Sequence, residues 1–103
     1  MVLHGAVVGP YTRLGVGCIV NTGASVDHDN EIGDFVHIAP GAHLAGAVHV
    51  GDRTMIGAGA TVIPGMRVGQ EAMVGAGATV VSQVGDGVTV VGTPAKNRSR
   101  LYE

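Results

Sequence analysis

The chain has 103 residues, a formal net charge of -2 and a pI near 6.2, so one domain is its ceiling and nucleic acid is excluded as the main partner. Charged residues are 14% of the chain and aromatic residues 3%, too few for an ordinary globular protein. Eighteen glycines beside 46% apolar residues point instead to short strands joined by tight turns. Cys18 stands alone, which excludes an intrachain disulfide and reads as a small buried thiol. Met1-Val2-Leu3-His4 lacks the basic start of a secretion signal, and no apolar run approaches the ~18 residues of a membrane span. The expectation is a soluble cytoplasmic protein with no membrane partner.

In chain order, the predicted elements keep a six-residue beat. Positions 2, 8, 14, 20, 26, 32, 38, 44, 50, 56, 62, 68, 74 and 80 are all Val, Leu or Ile. A glycine often follows the aliphatic, as at Gly9, Gly15, Gly33, Gly51, Gly57, Gly69 and Gly75. Four residues after the aliphatic stands a small or modest side chain, among them Ala6, Thr12, Cys18, Ala24, Ala42, Thr54, Ala60, Ala72 and Ala78. The pattern predicts a coil of very short parallel strands, with the aliphatic row along its axis and the small residues where corners crowd.

A longer period lies on top of the first. Gly5, Gly23, Gly41, Gly59 and Gly77 are each 18 apart. Three hexads per turn give a triangular cross-section with one corner rich in glycine at positive φ. The regular stretch 2–85 makes about 4.7 such coils, a prism about 22 Å tall at ~4.8 Å per rung. The predicted boundaries are a β-helix over 1–87 and a C-terminal strand and tail over 88–103, with Pro94 stopping the strand. A prism this short, open at both ends, predicts burial of outer faces against copies of itself; Phe35, Met55 and Met73 are the candidate contacts.

The candidate chemistry is in the second and third coils. His4, His28, His37, His43 and His49 all avoid the inward row, so each faces outward. His28 stands between Asp27 and Asp29. A general base needs a neutral imidazole held in one tautomer, and a carboxylate on the other ring nitrogen provides that. A solvated polar loop is the plain alternative. His37, His43 and His49 follow the beat onto successive faces, which argues against a metal cluster within one chain.

The stretches Asn21-Thr-Gly-Ala-Ser-Val-Asp-His28-Asp29, Ile32-Gly-Asp-Phe-Val-His37 and Gly41-Ala-His-Leu-Ala-Gly46, on these hexads, resemble the sugar acetyltransferases of the sialic acid O-acetyltransferase family. That group includes the enzymes acetylating UDP-4-amino-sugars. The resemblance covers about 2–96 and implies an all-β, left-handed parallel β-helix assembled as a homotrimer. It implies acetyl-CoA as co-substrate and a sugar amine or hydroxyl as acceptor. Position by position, His28 matches the proton acceptor and Asp29 its acidic neighbour. His37 matches a contact to acetyl-CoA, Ala58 and Ala76 line its pantetheine arm through their backbone, and Asn21 lies near the acceptor. Val91-Gly-Thr-Pro-Ala-Lys96 resembles the segment leaving the prism. No metal is expected. A trimeric carbonic anhydrase built on this scaffold would need two histidines five apart, whereas the gaps here are 24, 9, 6 and 6. The family's Rossmann-like sugar-nucleotide domain has no counterpart in these 103 residues. The second expectation is therefore a trimeric CoA-binding or structural module without turnover.

Overall fold

Each inward aliphatic closes a two-residue strand, and stacking of these strands builds three parallel sheets in a computed structural model that describes residues 1–98. The first sheet stacks Val7–Val8, Ser25–Val26, His43–Leu44, Thr61–Val62 and Thr79–Val80. The second stacks Arg13–Leu14, Glu31–Ile32, His49–Val50 and Arg67–Val68. The third stacks Ile19–Val20, His37–Ile38, Met55–Ile56, Met73–Val74 and Thr89–Val91, with Lys96–Asn97 added antiparallel at its upper edge. The chain visits the sheets in rotation, so it is a β-solenoid of about five turns with no α-helix among the described residues.

Partners in neighbouring coils are 18 residues apart, as in Val7↔Ser25, Ser25↔His43 and His37↔Met55. That register sends the aliphatic row to the axis: Val20, Val26, Ile38, Leu44, Ile56, Val62 and Val74 are fully buried, while Val2 at the lower end stays exposed. Cys18 is buried in the second inner row, beside the axis. The low aromatic content follows, because the axis is too narrow for rings and is filled by branched aliphatics instead.

The corners carry the backbone strain. Every sixth residue from Gly5 to Gly77 has positive φ. The corner between the third and first sheets is Gly at all five levels (5, 23, 41, 59 and 77) as the period predicts. It is a type II turn, closed by bonds such as Ala60 N to Gly57 O at 3.1 Å, with glycine in third place. The other two corners place Tyr11, Asp29, Phe35, Ala47, Arg53 and Glu71 at φ of 51–60°. Sequence gave no warning of these, since the left-handed region disfavours most side chains. Aspartates offset the cost at one corner: Asp34, Asp52 and Asp86 each accept the amide of the coil below, from Val16, Asp34 and Gln70 at 2.8–2.9 Å.

The beat breaks after Val80. Val84, only four residues on, takes the next inward place, and Val68↔Val84 and Val74↔Val90 are 16 apart. The regular stretch therefore ends at Val80 rather than 85. The parallel ladder nevertheless runs past 87, because Thr89–Val91 pairs with Met73–Val74 in register. Residues 99–103 of the expected polar tail lie outside the described residues.

Candidate active site

The corner Asp27–Asn30 carries the sequence-predicted dyad, and its backbone is fixed from both sides. From the coil below, the Thr12 hydroxyl donates to Asp27 O at 2.8 Å and accepts Asn30 N–H at 3.3 Å. Asp29 N–H donates to Pro10 O at 3.0 Å. From the coil above, Ala47 N–H donates to His28 O at 3.0 Å and Val48 N–H to Asn30 Oδ1 at 2.7 Å. Asn30 is fully buried and its Nδ2 has no partner among the described residues.

On this fixed backbone the two candidate side chains stand out into solvent, His28 at 62% and Asp29 at 58% exposure. His28 Nδ1 lies 3.0 Å from Asp29 Oδ2. Asp29 holds φ of 58°, a conformation Asp tolerates better than most residues. With the carboxylate accepting the Nδ1 proton, the Nε2 lone pair is left free to accept another. The two residues are thus brought together as the sequence predicts.

Gly46, one coil above His28, completes the corner, and its contact with the ring was not singled out from the sequence. A Cβ there would lie 2.5 Å from Cε1 and Nε2 of the imidazole. Gly46 needs no positive φ, so its lack of a side chain answers to the ring that leans on it. Among the described residues its N–H donates to no acceptor, although the residue is buried. The signal was in the sequence: 46 is 28 plus one period.

Asn21 and His37 form a second pair across one coil. Asn21 Nδ2 lies 3.0 Å from His37 Nε2, and Asn21 Oδ1 accepts Thr22 N–H at 2.7 Å. The amide can only donate from Nδ2, so His37 accepts at Nε2 and carries its proton on Nδ1. This pair belongs to the third sheet and the start of the glycine edge, whereas His28 is at the far end of the first sheet. Ala58 and Ala76 are exposed on that glycine edge, stacked one coil apart by Gly77 N–H to Ala58 O at 2.8 Å. Neither alanine amide donates to a described acceptor, so both are open donors at a corner with no side-chain bulk.

Other features do not join this group. His43 and His49 stand on the first and second sheets, as expected from the beat. Among the described residues no three His, Cys, Asp or Glu are grouped to hold a metal. A cavity of about 450 Å³ lies at the upper end of the prism, lined by Val80, Val84, Val90 and Lys96, and touches none of the residues above. No helix among the described residues is long and apolar enough to cross a membrane.

Residues 31–64 match the family model described as bacterial transferase hexapeptide, six repeats. No curated protein matches the chain. Solved structures do. The acetyltransferase domain of PglB from Neisseria gonorrhoeae FA1090 shares 47% identity at a TM-score of 0.93, covering 93% of this chain and 47% of that one. The same domain in complex with acetyl coenzyme A superimposes at a TM-score of 0.92. A mutant of perosamine N-acetyltransferase from Caulobacter crescentus, in complex with CoA and GDP-perosamine, shares 38% identity at 0.85, covering 94% of this chain and 52% of that one. Serine acetyltransferase from Neisseria gonorrhoeae shares 35% at 0.82, covering 90% and 40%. The chain spans about half the length of the solved chains it matches.

Proposed function

This chain belongs to the hexapeptide-repeat family, and from that premise we propose that it is the catalytic β-helix of an acetyl-CoA-dependent acetyltransferase. Its acceptor is an amine or hydroxyl of a sugar or nucleotide-sugar. The observation that carries the reading is the His28–Asp29 contact of 3.0 Å on an otherwise rigid corner.

In this reading His28 is the base. Its Nε2 takes the proton from the acceptor's nitrogen or oxygen as that atom attacks the thioester carbonyl, and the C–S bond breaks to release CoA, whose sulfur receives the proton. Asp29 holds the ring tautomer and stabilises the imidazolium. The unpaired Gly46 amide beside Nε2 is the donor we assign to the oxyanion. The open amides of Ala58 and Ala76 are suited to the pantetheine arm, His37 to the acetyl-CoA thioester end and Asn21 to the acceptor.

Asn21–His37, on the third sheet and the glycine edge, and His28, beyond the end of the first sheet, stand apart in a single chain, which favours a homotrimer whose grooves join one copy's pair to its neighbour's dyad. Phe35 and Met73, 60% and 48% exposed, are the outer apolar contacts such packing would cover. We place the protein in the cytoplasm, where acetyl-CoA is available.

The test is acetyl transfer by His28→Ala. The variant should remain folded and oligomeric yet release almost no thiol with an amino-sugar acceptor; an unchanged rate removes His28 from the mechanism. A second reading is a CoA-binding module without turnover, for which the open amides of Ala58 and Ala76 would suffice. Calorimetric binding of CoA with no thiol release from the unmodified chain selects it.

A further inference from the structure

Beside the dyad stands a second polar group with no role so far. Ser25 and His43 are register partners on the first sheet, and Ser25 Oγ is hydrogen-bonded to His43 Nδ1. His43 Nε2 faces Asp27 Oδ2 across 4.0 Å. Asp27 directly precedes His28. The carboxylate accepts only, so it favours the proton on Nε2; Nδ1 is then the acceptor and Ser25 the donor. The imidazole is therefore held by its rear nitrogen, with Nε2 4.0 Å from a carboxylate it does not reach.

A distance of 4.0 Å is beyond a direct hydrogen bond and within the span of one bridging oxygen. Two bonds of about 2.8 Å meeting at one oxygen at roughly a right angle cover that gap. The bridging atom must accept from Nε2–H and donate to Oδ2. A hydroxyl does both. An ammonium donates but cannot accept, and a methyl does neither. Both walls are about half exposed, His43 at 48% and Asp27 at 47%, so a ligand can enter.

We propose that Asp27 and His43, braced by Ser25, form a hydroxyl-selective subsite for the acceptor. It takes a hydroxyl near the atom being acetylated, and it makes a polyol-bearing acceptor preferred over a bare amine. This rests on the acetyltransferase reading, but it assigns residues and a selectivity that the reading does not.

The probes are trans-2-aminocyclohexanol and cyclohexylamine, which differ by one hydroxyl. The oligomer should prefer the amino-alcohol by about tenfold in kcat/KM, the usual range for one partly exposed hydrogen bond. His43→Phe and Asp27→Ala should each abolish that preference, the rate falling further with the amino-alcohol than with cyclohexylamine. Equal loss with both amines would mean the pair acts through His28, and would overturn the proposal. So that failure of turnover is not confused with failure of the subsite, binding is read separately. In ¹⁵N-histidine spectra of the His28→Ala chain, trans-1,2-cyclohexanediol should shift the His43 Nε2 signal saturably, and cyclohexane carrying a single amine should not. No shift with the diol overturns the subsite whether or not the enzyme turns over.

Discussion

Gly46→Ala separates the chemistry of the corner from its stability. The backbone there is outside the left-handed region, so alanine fits it and removes some freedom from the unfolded chain, worth about 0.4–1 kcal/mol in favour of folding. Against that, the new Cβ would sit 2.5 Å from Cε1 and Nε2 of His28, closer than real contacts allow. The ring is 62% exposed and free to swing outward, so the clash is relieved by moving the imidazole rather than the coil. What is lost is its 3.0 Å contact with Asp29 and its place beside the Gly46 amide. Positioned acid–base catalysis contributes roughly 10²–10⁴-fold, so kcat should fall by about a hundredfold while the melting temperature stays within a few degrees. A thiol-release assay and a thermal melt on the same sample check both. Wild-type kcat in a folded Gly46→Ala variant would refute the seating of the ring; a large drop in melting temperature would refute the claim that the coil is spared.

Asp29→Asn keeps a residue suited to positive φ and should retain the fold, yet lower acetyl transfer by about tenfold or more, as the neutral amide stabilises the imidazolium less; steady-state kinetics and a melt decide it. The two kinds of glycine should separate in stability. Gly59→Ala meets open space and has only its positive φ to bear, about 1 kcal/mol, whereas Gly51→Ala puts a Cβ 2.5 Å from Gln70 N in the next coil and should cost more; equal denaturant midpoints would contradict this. Ile56→Ala empties a fully buried axial place and should cost about 2–5 kcal/mol by chemical denaturation. Met73→Glu should shift the sedimentation of the assembly toward monomer if that face is the contact between copies.

The axial row and the glycine edge were legible because each repeats one residue type at a fixed interval, and the structure keeps both from coil to coil. His28–Asp29 was legible as neighbours in sequence. What hid was whatever depends on contact between coils at unlike residues. Asn21 bonds His37 sixteen positions on, and Ser25 bonds His43 eighteen on, with no shared chemistry to mark either pair. Gly46 belongs to neither repeat series of glycines, and its emptiness serves a ring rather than a turn. The six side chains at left-handed corners were invisible for a different reason: closure of the triangle imposes that conformation, and local preference is overruled. The skipped pair of residues after Val80 did leave a trace, since a continued beat would bring Asp86 to the axis, whereas Val84 is aliphatic.

A stack of identical rungs has no intrinsic reason to stop, and an exposed final rung is a template on which another molecule could continue the pile. Here the backbone doubles back: Lys96–Asn97 runs against Val90–Val91, and Ala95 N–H is bonded to Thr79 O at 2.8 Å. The reversal occupies donors and acceptors that a foreign strand would need, and it does so in the opposite direction. Among the described residues the upper edge of the third sheet is thereby capped, and a foreign strand would have to displace Lys96–Asn97 to extend it.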